Sequence, residues 1–234
     1  MKSTVDEIRE RFDNDVDRFS NLETGQSATI DAPLVLELIT QAAAKVNPDA
    51  SHILDIGCGA GNYALKLHQI LEDFNVDLID LSKPMLERAT ERIEEVSQGE
   101  VFAMQGDIRE LSLEDERYDI IVSAATLHHL RDEKEWEQVF AKVYRALKPG
   151  GSFWISDLVK QSVDALQSLM WQRYGEYLTD FRDKEYRDQV FSYIEKEDTP
   201  RSVIYQIDLM RSVGFREVEI LHKNTNFAAF GGIK

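Results

Sequence analysis

The chain has 234 residues, a formal net charge of −16 and a single cysteine, Cys58. This length allows one domain with a sizeable core, and a lone cysteine excludes an internal disulfide. No apolar run reaches the roughly 18 residues of a transmembrane helix, and the acidic balance disfavours non-specific binding to nucleic acid. We expect a single domain over 1–234, cytoplasmic, with no signal peptide, no membrane partner and no metal.

The first 46 residues predict two helices. A short amphipathic helix is expected within 3–19, where Val5, Ile8 and Phe12 recur at helical spacing, and a loop is expected over 20–30. The second helix is predicted from Ile30 to Val46, with Asp31 as its N-cap and Pro33 in its first turn. Its apolar face is predicted to contain Leu34, Leu38 and Ala42, with Leu36, Ile39 and Val46 as further candidates.

A glycine-rich turn then follows an apolar strand. His52 to Ile56 predicts the strand, and Gly57, Gly59 and Gly61 place three glycines in five positions before a helix over 63–71. Glycines tolerate positive φ and let a ligand approach the backbone. A dinucleotide fingerprint would need a third glycine at position 62, which is Asn62, so the spacing argues against that cofactor.

Two more strand–helix units follow. Val76 to Asp80 predicts a second strand ending in an acidic residue, which at this position can accept both hydroxyls of a ribose or simply stabilise a helix N-terminus. Ser82 and Pro84 begin the next helix, whose buried stripe is predicted to be Met85, Ala89, Ile93 and Val96. A third strand over 100–105 ends at Gly106-Asp107-Ile108, where Asp107 can also be an ordinary turn residue.

The second half of the chain continues the alternation of strands and helices up to residue 157, and the segment after it breaks this alternation. Tyr118 to Ser123 predicts a fourth strand, a helix follows with an apolar face from Trp136 to Leu147, and 152–157 predicts a fifth strand. Residues 158–200 hold seven aromatics and no strand–helix unit, so we expect two or three inserted helices. A last helix ending at Gly214 precedes two strands, 216–221 and 226–233, joined by a connection over 222–225.

The segment from Asp55 to Gly61 resembles the first motif of the class I S-adenosylmethionine (SAM)-dependent methyltransferases. The likeness extends over residues 30–157, through the segment after strand 4 and the Leu-Lys-Pro-Gly-Gly break at 147–151, and more weakly over 200–234. A closer likeness, to the carboxy-SAM synthases and tRNA wobble-uridine methyltransferase-like proteins, rests on residues 106–109, the aromatic insertion and the ending at 211–215. Gly59 departs from the synthase group, which has a Ser-type residue there, and no basic residue aligns within 188–198 with that group's carboxylate ligand.

This resemblance implies the fold: a Rossmann-like, mostly parallel sheet of seven strands in the order 3-2-1-4-5-7-6, with strand 7 antiparallel. Residues 1–46 would form an N-terminal helical lid, and 158–200 would roof the site. It implies SAM as cofactor and S-adenosylhomocysteine (SAH) as product. The implied cofactor-binding residues are Asp55, Gly57, Cys58, Gly59, Gly61, Asp80, Leu81, Met85, Asp107, Ile108 and Ala124.

His128 and His129 lie on the segment that the resemblance places near the transferred methyl group. An imidazole has a suitable pKa for a general base, although either histidine could equally be structural. The expected function is methyl transfer from SAM to a small-molecule acceptor. The alternatives are a SAM-modifying or tRNA-modifying enzyme and a non-catalytic SAM-binding protein. The aromatic insertion also makes a homodimer plausible.

Overall fold

A computed structural model describes residues 2–21 and 26–234. Part of the predicted loop over 20–30 therefore lies outside the described residues. The described chain forms seven strands: β1 (His52–Ile56), β2 (Asn75–Asp80), β3 (Val101–Gln105), β4 (Tyr118–Ala124), β5 (Leu147–Leu158), β6 (Glu217–Asn224) and β7 (Phe227–Ile233).

The helices lie before, between and after these strands. A short 3-10 helix spans Leu127–His129, after β4. The α-helices are α1 (Val5–Asp13), α2 (Val16–Phe19), α3 (Ala32–Val46), α4 (Asn62–Leu67), α5 (Lys83–Glu94), α6 (Glu133–Ala146), α7 (Asp164–Phe181), α8 (Lys184–Glu197) and α9 (Val203–Val213).

The strands form one sheet in the order β3-β2-β1-β4-β5-β7-β6. Strands β1 to β5 are parallel to their neighbours, and β7 is antiparallel to both β5 and β6. The predicted strand order and the antiparallel last strand are confirmed. Apolar clusters cover both faces, one packing α6 and α9 and the other packing α3, α4 and α5 against the sheet. Because helices cover both faces of the sheet, side chains on both sides of the central strands are buried, and these strands are nearly continuous apolar runs.

Local chemistry explains where several elements begin. Thr4 and Glu7 form a reciprocal capping box at the start of α1, and Ser82 accepts from the Met85 amide at the start of α5. The insertion after β5 consists of two helices, α7 and α8, within the predicted range. They pack their aromatic side chains together with Phe227 in a third apolar cluster.

The N-terminal helices differ from the prediction in two ways. The expected helix within 3–19 divides into α1 and α2 at Asn14 and Asp15, whose short polar side chains compete with the helical backbone. Asp31 sits at the N-cap position of α3 with φ of 60° and makes no capping bond, because its carboxylate instead accepts from His222 and Asn224.

The main positions predicted for the apolar face of α3 were wrong by one residue, whereas the further candidate Ile39 is buried as predicted. Val35, Ile39 and Ala43 are buried, whereas Leu34 is 48% exposed. The helix is apolar at most positions, so both registers satisfy the helical period and only packing against the sheet selects one. Three smaller predictions were also wrong. Val96 lies beyond the end of α5 and is exposed, Leu147 belongs to β5, and residues 222–224 continue β6 so that the hairpin turns at 225–226.

Candidate functional site

A cleft opens at the carboxyl ends of the parallel strands. The chain adds β2 and β3 on one side of β1 and β4 and β5 on the other, so the order reverses between β1 and β4. Open α/β sheets bind their ligands at such a reversal, outside the carboxyl ends of the strands. The cleft contains every residue of the predicted site except Gly61.

Two glycines shape the loop after β1 for different reasons. Gly57 has φ of +69°, and a Cβ there would overlap the Thr126 side chain at 1.9 Å. Gly59 has φ of +51°, and a Cβ there would meet no atom within 4 Å because the position faces the open cleft. The loop is held from behind by the Gly57 and Cys58 amides, which donate to the Ile79 carbonyl at 2.7 and 3.0 Å. At Gly59 no side chain separates the loop backbone from the open cleft, so a ligand can approach the main-chain atoms closely.

Gly61 and Cys58 have roles that the motif alone did not separate. A Cβ at Gly61 would lie 3.1 to 3.2 Å from Ala89 and Ile93 on α5, so this glycine allows close helix packing. Cys58 does line the cleft, but only 7% of it is exposed. Burial raises the pKa of its thiol, which fits the expected buried thiol and disfavours a nucleophile.

Asp80 joins the end of β2 to the glycine loop. One carboxylate oxygen accepts from the Gly59 amide and the other from the Ser82 amide, both at 2.8 Å. Burial raises the pKa of Asp80 to about 6, against the opposing effect of these backbone donors. A carboxylate offers about four acceptor positions, so two remain for the hydroxyls of a ribose. Leu81 and Met85 line the cleft beside it.

Asp55 is the least compensated carboxylate in the cleft. It is 1% exposed, and its Oδ2 atom has no hydrogen-bond partner. Burial, followed by the charge of Asp80, raises the pKa of Asp55 to about 7. An acidic oxygen in this condition gains most from a cationic donor such as an ammonium group.

Asp107 follows β3 and is already paired. Arg109 donates to both of its carboxylate oxygens through Nε at 3.0 Å and also binds Glu135 on α6. Burial raises the pKa of Asp107, but the hydrogen bonds and charge of Arg109 outweigh it and hold that pKa below its usual range. Asp107 therefore remains ionised at the cleft, with Ile108 buried beside it.

We call α1, α2, α7 and α8 the roof, because their residues cover the cleft on the side away from the sheet. Phe12, Phe19, Tyr174 and Tyr193 bring aromatic side chains into it. The Arg11 Nη2 atom of α1 lies 2.6 Å from the Glu197 carboxylate of α8, and the Asn62 amide donates to the Phe19 carbonyl at 3.0 Å. The N-terminal helices are thus tied to both the insertion and the glycine loop.

A second set of polar side chains lies beneath the roof, beyond Ala124. We call His128, His129, Asp157 and Asp198 the histidine cluster. His128 pairs through Nδ1 with the Asp157 carboxylate, while its Nε2 atom lies 3.6 Å from the Asp198 Oδ1 atom. The same Asp198 oxygen lies 3.3 Å from Nδ1 of His129, yet neither ring nitrogen of His129 has a hydrogen-bond partner.

The two histidines of this cluster have opposite electrostatic environments. Burial lowers the pKa of His128, but the charges of Asp157 and Asp198 outweigh it and raise that pKa to about 9. Burial, with the neighbouring charges of His128 and Arg11, holds the pKa of His129 well below its usual value. Burial also raises the pKa of Asp198 to about 6, against the effect of His128. His129 is consequently the neutral imidazole of the pair.

Comparison with known proteins shows which proteins this chain resembles in sequence and in fold. Residues 53–151 match the model of a methyltransferase domain. The chain is 24% identical to the carboxy-S-adenosyl-L-methionine synthase of Campylobacter lari, over 85% of this chain and 84% of that one. It is 29% identical to the malonyl-[acyl-carrier protein] O-methyltransferase of Priestia megaterium, over 69% of this chain and 54% of that one.

A solved structure of a SAM-dependent methyltransferase from Thermotoga maritima superposes with a TM-score of 0.58 at 23% identity, covering 97% of this chain and 99% of that one. The domain match, the curated relatives and the fold together support a class I SAM-dependent methyltransferase. SAM is its cofactor. Both expectations drawn from the glycine motif are confirmed at this level.

Sequence reasoning missed several residues that this methyltransferase brings to the cleft. Asp157 ends β5 and Asp198 ends α8, and neither belongs to a recognisable motif. Arg11 and Tyr193 reach the cleft from α1 and α8, which are 180 residues apart. An acidic residue directly after a parallel strand was the one available indication for Asp157, since such positions face the ligand edge of the sheet.

Within the described residues, none of the helices combines the length and the apolar character that a membrane crossing requires.

Proposed function

We propose that this cytoplasmic methyltransferase transfers the methyl group of SAM to a small-molecule acceptor held beneath the roof. The observation that carries the proposal is the continuity of the cleft from Asp80 and Asp107 at one end to the histidine cluster at the other. Asp80 would accept the ribose hydroxyls, Asp107 and Ile108 would receive the adenine, and Asp55 would receive the ammonium group. The methyl group would then point toward Ala124 and the histidine cluster.

Methyl transfer needs alignment more than chemical activation of the donor. The nucleophile, the methyl carbon and the leaving sulfur must be collinear in a site that excludes water. The aromatic roof supplies such a site. The Arg11–Glu197 pair holds two of its helices together and Asn62 ties it to the glycine loop, which favours an acceptor small enough to be enclosed. A net charge of −16 also disfavours a nucleic-acid acceptor.

We assign His128 and His129 to the activation of the acceptor. Both histidines line the cleft, and neither ring nitrogen of His129 has a hydrogen-bond partner within the protein. In the reaction, the acceptor atom forms a bond to the methyl carbon as the carbon–sulfur bond breaks. The proton of the acceptor leaves to a group at this end of the cleft, and SAH is released.

The test is a calorimetric titration of the ligand-stripped protein with SAH, followed by methyl transfer from labelled SAM to panels of small acceptors and to tRNA. We expect one SAH per chain and label in a small molecule. A folded protein that does not bind SAH would refute the proposal, and label found only in tRNA would refute the small-molecule acceptor. SAH binding with no labelled product across the panels would favour a non-catalytic SAM-binding protein.

A SAM-modifying activity is the second candidate, because the relatives named as carboxy-SAM synthases match this chain over most of their length. The cleft argues against it. From α8 and the residue after it, Tyr193, Ile194 and Asp198 line the cleft, and none of these carries a positive charge that would pair with an additional carboxylate. Titration with carboxy-SAM and SAM side by side decides between them. A preference for carboxy-SAM would favour the second candidate.

A further inference from the structure

The histidine cluster has the composition of a metal site. Within residues 2–21 and 26–234, His128, His129 and Asp198 are the one group of three metal-binding side chains whose ligand atoms lie close together, all within 4.8 Å of one another. Two imidazoles and one carboxylate are a donor set that suits zinc, iron and other divalent transition metals better than magnesium or calcium. No metal was expected from the sequence, in which Asp198 lies 69 positions beyond His129.

The distances fit a small ion. Around a tetrahedral ion with bonds of about 2.0–2.1 Å, neighbouring ligand atoms lie about 3.3 Å apart. The Asp198 Oδ1 atom lies 3.3 Å from Nδ1 of His129 and 3.6 Å from Nε2 of His128. The two imidazole nitrogens lie within 4.8 Å of each other, so coordination of one ion would draw the two rings toward Asp198.

Asp157 fixes the orientation of the His128 ring from the side opposite Asp198. It accepts from Nδ1 of His128 and from the His128 main-chain amide at 3.0 Å, so it holds this ring from two sides. A carboxylate on one ring nitrogen directs the lone pair of the other nitrogen outward, as metal-binding histidines require. Here the outward atom is Nε2, which faces Asp198.

The unpartnered atoms and the charges also favour an ion. His129 has two buried ring nitrogens without hydrogen-bond partners, a costly state that coordination through one of them would partly relieve. Asp157 and Asp198 bring two negative charges, which the protonated ring of His128 offsets only in part, while Arg11 is occupied by Glu197. Lys2 and Arg131 donate to the main-chain oxygens of Asp198 and Glu197 and not to these two carboxylates.

We propose that His128, His129 and Asp198 bind one divalent transition-metal ion at the acceptor end of the cleft, with Asp157 as the positioning residue. The ion would keep a position open toward the cleft for water or an acceptor oxygen, since the protein supplies three ligands. A hydroxyl bound there would lose its proton more readily, as water does on zinc. This role rests on the proposed methyl transfer, whereas the metal site itself does not.

The test is titration of untagged, chelator-treated full-length protein with Co²⁺, followed by visible absorption and then by displacement with Zn²⁺. We expect one Co²⁺ per chain with a d–d spectrum of low coordination number. The variants His129→Gln and Asp198→Asn should each lose at least tenfold in affinity. Asp157→Asn should retain the stoichiometry and lose about 10- to 100-fold in affinity, as outer-shell partners of metal ligands do.

His222→Gln is the matched control, because His222 also pairs with a carboxylate, that of Asp31 at 2.9 Å, but outside the cleft. SAH titration of every variant reports whether the fold is intact. Uptake that is unchanged in His129→Gln and Asp198→Asn, or no stoichiometric uptake by a protein that binds SAH, would overturn the metal site and leave the proposed function standing. Failure to bind SAH with Co²⁺ bound normally would instead refute the proposed function.

Discussion

The two ends of the cleft are built in different ways. The end at which we propose that the cofactor binds, called the cofactor end, consists of the carboxyl ends of β1, β2 and β3 with the short segments after them, and its carboxylate Asp80 is held by nearby main-chain amides. The histidine cluster instead draws its side chains from a 3-10 helix, the end of β5 and the end of α8. Its charged groups are satisfied mainly by one another.

This difference separates a cofactor-binding part of the cleft, which a family can share, from an acceptor-binding part, which can differ between family members. A site made of backbone and strand ends can be kept while the surrounding helices change, which suits a cofactor shared across a family. A site made of distant side chains under a variable roof can differ from one family member to the next. We therefore expect changes at the cofactor end to act on SAH affinity, and changes at the roof to act on the acceptor.

The largest effect is expected for Asp80→Ala. It removes a charged acceptor for two ribose hydroxyls, each such bond contributing about 1.5–3 kcal/mol, so SAH affinity should fall roughly 100-fold or more. Calorimetry measures this directly, and Asp115→Ala, an exposed carboxylate outside the cleft, is the control. Equal SAH affinity in the two variants would remove Asp80 from the cofactor site.

A smaller effect is expected for Gly59→Ala. Its φ of +51° costs an alanine about 1 kcal/mol, and the new methyl group would project into the cleft, so SAH affinity should fall at least tenfold. Gly150→Ala is the matched control, since Gly150 also has positive φ and open space around it but lies outside the cleft. If both variants bind SAH like the parent protein, the loop backbone does not contact the cofactor.

The pH dependence of protein stability tests the environment of Asp55 at the cofactor end. Because its folded pKa of about 7 exceeds the unfolded value of about 3.9, the unfolded chain releases this proton first as pH rises. The free energy of unfolding therefore falls between about pH 4 and pH 7. Asp55→Asn should remove that loss and raise Tm at pH 8 by about 5 °C, roughly 2 kcal/mol, with no gain at pH 4. Thermal unfolding at both pH values checks it, and a gain of the same size at pH 4 would contradict this cause.

The smallest effect on the cofactor is expected for Glu197→Gln, which breaks the ion pair with Arg11 that closes the roof. The amides of α1 should exchange with deuterium several-fold faster, while SAH affinity stays within about twofold. Hydrogen exchange followed by mass spectrometry gives the first quantity. Glu195→Gln on the exposed face of the same helix should change neither quantity, and unaltered exchange in Glu197→Gln would mean that other contacts hold the roof.

Much of the cofactor end could be predicted from local sequence. The positions of Gly57, Gly59, Asp80 and Asp107 follow from strand ends and turns, and parallel strands bring those ends to one edge of the sheet whatever the details of packing. The strand order was implied by the family resemblance, and the helical insertion followed from the absence of a strand–helix unit over 158–200. Reasoning from local sequence erred at α3, where an almost uniformly apolar helix offers two equivalent faces and the sheet selects Val35, Ile39 and Ala43.

By itself, the sequence determined the sheet, the glycine loop and the family, because these depend on periodicity and on residues close together in the chain. Only the tertiary structure decided that Gly61 packs against α5, that Arg11 closes on Glu197, and that His128, His129, Asp157 and Asp198 meet beneath the roof. The physical reason is that contacts between separate segments depend on how the helices pack, and the chemistry of a side chain does not identify its partner elsewhere in the chain.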